Sequence, residues 1–89
     1  MSFNIEQLKK KIIYRSNYRG TKEMDKLLSA FTKKYINELG NDDLIDLEKL
    51  LDLDDNNLYN FFNGLNTDIE FEDNYINKLF KNFQFISKS

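Results

Sequence analysis

Residues 21–40 read TKEMDKLLSAFTKKYINELG, and this stretch decides the fold class. Met24, Leu27, Leu28, Phe31, Tyr35 and Ile36 recur at i, i+3, i+4 and i+7, the spacing that gathers side chains on one face of an α-helix. Lys22, Lys26, Lys33 and Lys34 fall largely off that face. The helix is expected to start near Thr21 and to end at Gly40, since glycine is the common residue just past a helix C-terminus.

The same period continues on both sides. Towards the N-terminus, Asn4 is a candidate N-cap with Gln7 as its reciprocal partner. Ile5, Leu8 and Ile12 then carry a first helix to about Ser16, and Asn17 to Gly20 form the joint. Beyond Gly40, Asn41, Asp42 and Asp43 place a cap and negative charge at the start of a third helix, where the helix dipole favours them. Leu44, Leu47, Leu50 and Leu51 make its apolar face. A polar joint over 52–56 leads to a short helix over 57–63, closed by Gly64. Thr67 or Asp68 then caps a last helix over about 68–84, striped by Tyr75, Ile76, Leu79, Phe80 and Phe83. Ile69 to Glu72 alternates like a strand, but nothing else in the chain would pair with it. The tail after Phe85 is expected to fray. The prediction is all-α: a compact five-helix bundle of short helices, one domain over residues 1–89.

Composition agrees. There is no proline and only three glycines, so helix breakers are scarce. The 40% hydrophobic and 15% aromatic content is enough to fold 89 residues. A chain of this size buries little more than about 60% of its unfolded surface, which leaves little space for a deep active site. Cysteine and histidine are absent, which removes disulfides, thiolate metal sites and the commonest general base. No spacing of Asp, Glu or Lys singles out a catalytic centre, so the expectation is a binding protein and not an enzyme. No apolar run approaches the roughly 18 residues of a membrane span, and Met1 to Leu8 lack a signal-peptide core. The expected compartment is the bacterial cytoplasm.

Charge is uneven. Residues 1–38 hold nine Lys/Arg against four Asp/Glu, and residues 39–89 hold four against eleven, so halves of +5 and −7 give the net −2. Such a chain either steers a charged partner or attracts itself across the fold. Asp52, Asp54 and Asn56 imitate the first positions of a calcium loop, but Asn57 stands where glycine is needed and Asn63 where a bidentate glutamate should be. Lys9, Lys10 and Lys11 form the only basic run. With Arg15 and Arg19 they could face phosphate, but three lysines in one turn are more often a solvated face and no nucleic-acid motif follows. The apolar stripe of helix one is too narrow for a membrane-surface helix.

The densest constellation is Tyr14-Arg15-Ser16-Asn17-Tyr18-Arg19-Gly20-Thr21-Lys22-Glu23-Met24-Asp25. Two arginines, a glycine and a glutamate crowd one helix joint. Arginine suits planar, bidentate interface contacts, and glycine permits backbone that other residues avoid and close approach by a partner. Glu23 could hold Arg15 or Arg19, or simply favour the helix dipole. On physics alone, a docking site and a self-satisfied turn are equally good readings.

Arg15-Ser16 followed by Arg19-Gly20-Thr21-Lys22-Glu23-Met24-Asp25 resembles the RS-x-x-RG-x-x-E-[LM]-D signature of the FAD assembly factors of succinate dehydrogenase, the flavinylation-factor family. Residues 50–62, LLDLDDNNLYNFF, are similar to that family's LL-[ED]-x-x-D-x-D-L-[YF]-x-W-L segment. The likeness covers about residues 12–64, with a compatible last helix. Phe61 stands where the family usually has tryptophan, and Asn57 where it has aspartate. The resemblance implies a five-helix protein that binds the flavoprotein subunit of succinate dehydrogenase, or of fumarate reductase, and promotes covalent attachment of FAD. It implies partner contacts by Arg15, Arg19, Gly20, Glu23 and Asp25, and a secondary partner surface of Asp54, Asp55 and Tyr59. FAD would be the client's cofactor, none would be held stably here, and the free factor would be a monomer. A binding module with another client, antitoxin-like, is the alternative.

Overall fold

In the computed structural model, which describes residues 4–83, five α-helices follow one another. They are α1 (Ile5–Ser16), α2 (Lys22–Tyr35), α3 (Asn41–Leu51), α4 (Asp55–Phe62) and α5 (Tyr75–Lys81), and no strand occurs among the described residues. The all-α bundle expected from the sequence is what forms. The tail beyond Phe85 lies outside the described residues.

Four helices start on a side chain that accepts an otherwise unpaired N–H of the first turn. Asn4 Oδ1 accepts from the Gln7 N–H at 3.1 Å and Thr21 Oγ1 from the Met24 N–H at 3.1 Å. Asp54 and Asn74 cap α4 and α5 in the same way, through Asn57 and Asn77.

Three boundaries differ from the sequence reading. Gly40 does not end α2, which stops at Tyr35 and runs through a turn over 36–38. Gly40 is instead the extended residue that precedes α3, and Asn41 is the first helical residue rather than the cap. Glycine serves at either kind of helix end, so its position alone does not tell them apart. Helix α4 begins at Asp55, because Asp54 is its cap and not part of a longer joint. The last helix starts at Tyr75, capped by Asn74, and neither Thr67 nor Asp68 opens it.

Residues 65–74 are irregular, and two buried asparagines hold them in place. Asn57 Oδ1 accepts from the Asp68 N–H at 2.9 Å, and Asn77 Nδ2 donates to the Glu72 carbonyl at 2.8 Å. The chain crosses over α4 here, and Phe71 stacks on Phe61 with ring centroids 4.0 Å apart. Gly64, at φ +72, turns the chain out of α4 in the left-handed conformation that glycine adopts without strain.

The core fills the space between the helix stripes. Helix α1 packs on α2 and α3, and α5 packs on α3 and α4. Ile12, Leu28, Phe31, Leu44, Leu47, Leu58, Ile76 and Phe80 are fully buried. Phe31 lies edge-on to Tyr35, Phe80 and Phe83, with centroids 5.2–5.3 Å apart.

The two charged halves meet along one seam. Lys11 pairs with Glu48 at 2.9 Å, Arg15 with Asp52, and Arg19 with Asp55 at 2.7 Å. Lys11 and Arg15 lie four residues apart on successive turns of α1 and face carboxylates of α3, while Arg19, in the joint after α1, faces one at the start of α4. An exposed pair contributes only about 0–1 kcal/mol, so the two outer pairs act mainly on the register of α1 against α3. The third pair is different, because it is largely buried.

Candidate partner-docking site

At the end of this seam, the α1–α2 joint rests on the α3–α4 joint. Ser16 and Asn17 close α1. Ser16 Oγ and Asn17 Nδ2 both donate to the Ile13 carbonyl, while Asn17 Oδ1 accepts from Ser29 Oγ at 2.6 Å. These bonds fix where the chain leaves the helix. Tyr18 then adopts φ +59, the left-handed region that a bulky side chain rarely occupies. That residue turns the chain so that Arg19 points back beneath it.

The Arg19 side chain is only 12% exposed, and its fork is fully used. Nε donates to Asp55 Oδ1 at 2.8 Å, and Nη1 donates to the carbonyls of Arg15 and Leu51, each at 2.9 Å. Nη2 donates to the Leu53 carbonyl at 3.0 Å and lies 2.7 Å from Asp55 Oδ1. Arg19 thus caps the unpaired C-terminal carbonyls of two helices with one planar group, which lysine could not do. The other oxygen of Asp55 accepts from the Gly20 N–H at 2.6 Å.

This arrangement explains Gly20. Its φ is not positive, so its backbone does not demand glycine. A Cβ there would lie 3.0 Å from Asp55 Oδ2, and the missing side chain makes room for this carboxylate. The close approach predicted for a partner is made by the chain's own Asp55.

The sequence-predicted residues fall into two groups. Arg15, Arg19, Gly20, Asp54 and Asp55 all line one open groove of about 500 Å³. Glu23 and Tyr59 line a second groove of about 530 Å³, and Asp55 is shared by both. Glu23 is exposed and makes no hydrogen bond or ion pair with any described residue, so it does not orient either arginine. Arg15 is held by Asp52 instead. Asp25 is half-buried on α2, with one carboxylate oxygen enclosed and lacking a hydrogen-bond partner among the described residues.

Tyr14, Tyr18 and Asp52 also line the first groove, and sequence reasoning missed them as site residues. The spacing of Lys11, Arg15 and Arg19 against Glu48, Asp52 and Asp55 would have pointed to Asp52. Nothing in the sequence pattern marked Tyr18 as the left-handed residue, because Gly20 sits two positions on and draws that role.

Hydrogen bonds from the Asn57 side-chain amide, at 2.7 Å, and then from its backbone N–H hold the exposed Asp54 carboxyl below the ordinary aspartate pKa. A depressed folded value stabilises the fold above the unfolded pKa, and this contribution disappears as pH falls through the folded one. Asp54→Asn keeps a capping side chain but removes the charge. Its melting temperature is expected to lie below that of the parent at neutral pH. The gap should close below about pH 4, where the unfolded chain takes up protons. Thermal melts at successive pH values check this, and a constant gap would contradict it.

A family model described as the flavinator of succinate dehydrogenase matches residues 10–84 of the chain. Among curated proteins, the chain is 45% identical over 49 residues to the mitochondrial succinate dehydrogenase assembly factor 2 of Scheffersomyces stipitis, covering 55% of this chain and 33% of that protein. It is 36% identical over 56 residues to the protein of the same name from Debaryomyces hansenii, covering 63% of this chain and 39% of that one. The matched segments span only 33% and 39% of these relatives' lengths. No solved structure matches the chain.

Proposed function

The chain belongs to the family of flavinators of succinate dehydrogenase, and from that premise we propose that it docks on the flavoprotein subunit of this enzyme and promotes covalent attachment of FAD there. The observation that carries the proposal is the Arg19–Asp55 latch. Its two residues, 36 apart in sequence, join the two signature segments into one groove, within a stretch that the family model spans.

The factor acts by positioning. Reactive groups held in the right arrangement gain rate without help from a new catalytic side chain. Arg19 is spent internally, so its part is to build the surface. The contacts fall to the groups around it: the exposed Glu23 on the first turn of α2, the exposed Tyr59 across the second groove, and the half-buried edge of the Asp52-paired Arg15. FAD remains with the client in this proposal. Both guanidiniums that could meet its phosphates are paired with carboxylates, and the groove is shallow and open. The free factor is proposed to be a monomer in the bacterial cytoplasm, where an apo-subunit would meet it before assembly; its curated relatives are named as mitochondrial. No helix among the described residues is long and apolar enough to cross a membrane.

The test is co-expression with the flavoprotein subunit in cells lacking their own factor, read as in-gel flavin fluorescence of the denatured subunit. Fluorescence should depend on the factor. Glu23→Ala should lower it several-fold while the melting temperature moves by no more than about 4 °C, because Glu23 supports nothing in the fold beyond a helix-dipole contribution of roughly 0.5 kcal/mol. Gly20→Leu should abolish it by driving Asp55 out of the latch. Equal fluorescence with and without the factor would remove the assembly role. Full activity of Gly20→Leu would remove the docking site.

A further inference from the structure

The side chains of two tyrosines on the rim of the first groove add almost nothing to the packing of the fold. Tyr14 is 69% exposed and Tyr18 is 82% exposed. Their rings lean on each other, with centroids 5.6 Å apart and planes 46° apart. Neither hydroxyl bonds a described residue. Tyr18 also occupies a left-handed backbone position that asparagine or glycine would fill with less strain. The turn at this position needs no tyrosine, and a ring that buries almost nothing does not serve the packing.

Charge decides what the pair would hold. The groove contains two guanidiniums and three carboxylates. Arg19 and Asp55 satisfy each other, and Arg15 is paired with Asp52. The surplus is the exposed Asp54, which its hydrogen bonds to Asn57 keep ionised. The groove therefore offers two π faces and a spare anion, and its own cations are already paired. Elsewhere the chain covers rings with its own lysines, Lys34 at 5.6 Å from Tyr35 and Lys81 at 5.5 Å from Phe61. No such cation covers Tyr14 or Tyr18 among the described residues. An anionic ligand would meet no free positive charge here.

We propose that Tyr14 and Tyr18 form an aromatic clamp for an arginine side chain presented by the surface of the client protein, with Asp54 as its counter-charge. Arginine is favoured over lysine because a planar guanidinium stacks on a tyrosine face while donating to a carboxylate at its edge. This rests on the reading that the client is the flavoprotein subunit, and it adds what that subunit must display.

The experiment has two arms. In the first, the protein with labelled tyrosine rings is titrated by nuclear magnetic resonance with a Gly-Arg-Gly peptide and with the same peptide carrying citrulline, which has the shape but not the charge. The arginine peptide should move the Tyr14 and Tyr18 ring signals, and the citrulline peptide should not. Equal shifts from both, or none from either, would overturn the clamp. In the second, affinity for the purified flavoprotein subunit is measured with Tyr18→Asn and Tyr18→Phe. Tyr18→Asn should weaken binding about tenfold, the loss of one desolvated cation–π contact, while its melting temperature stays level or rises. Tyr18→Phe, which keeps the ring, should stay within about twofold. Unchanged affinity of Tyr18→Asn would overturn the proposal. If the parent chain fails to bind the subunit, the flavinylation reading falls and the peptide arm alone decides the clamp.

Discussion

Arg19→Ala is expected to cost roughly 3–5 kcal/mol of folding free energy, the range for breaking a buried ion pair by deleting one partner. The substitution leaves Asp55 without its counter-ion and uncovers the carbonyls of Leu51 and Leu53 that the fork had capped. A chain of this size has only about 5–15 kcal/mol in hand, so the loss is a large share of it. In a small domain each kcal/mol shifts the melting temperature by about 4–8 °C, so a fall of roughly 12 °C or more should appear by circular dichroism. Arg19→Lys restores the charge but not the planar fork, and should fall between the two. An Arg19→Ala protein as stable as the parent would show that the latch contributes little. The size of this effect bears on how the site is probed. Loss of flavin attachment in Arg19→Ala would report a damaged fold, whereas Glu23 and Tyr18, which carry little of the fold, separate contact from architecture.

Phe31→Ala should be comparably severe, at about 3–5 kcal/mol, the usual cost of deleting a buried phenylalanine ring. Phe31 is fully buried and meets three other aromatic rings edge-on, so no neighbour can collapse into the space without giving up its own packing. Phe31→Leu, which keeps most of the volume, should cost far less. Urea denaturation followed by circular dichroism would measure both. Similar midpoints for the two variants would mean that the core is loosely packed around this ring.

The helices were legible where their cause is local. The apolar stripe of α2 and the Asn4 cap depend on residues a few positions apart, and both stand in the structure, the cap as the single bond from the Gln7 N–H. The irregular crossing before α5 was not legible, because its supports are tertiary. Asn57 reaches Asp68 and Asn77 reaches Glu72 only once α4 and α5 are in place. Within the site, the sequence placed Arg15, Arg19, Gly20, Asp54 and Asp55 among the residues of interest, and the fold brings all five to one groove. Their connections were hidden. Glu23 was the nearest carboxylate in sequence to both arginines, yet Asp52 and Asp55 hold them from more than 30 residues away. Pattern along the chain identifies residues that want partners; it does not identify partners brought together by a turn. The uneven charge of the two halves was the clue, since it is answered within the molecule by the seam of ion pairs.

The bond from the Gly20 N–H to Asp55 also sets an order of events during synthesis. Helices α1 and α2 leave the ribosome first, but the groove has no floor until residue 55 has emerged and closed a loop of 35 residues. If the groove is the docking site, docking competence therefore waits for residue 55, and a shortened product that retains α1, α2 and the whole arginine–glycine signature but stops before it would lack the floor of the groove. The Gly20 amide is a ready gauge of this state. Its hydrogen should exchange with solvent only when the distant carboxylate lets go, so its exchange rate reads the fraction of molecules in which the latch is open.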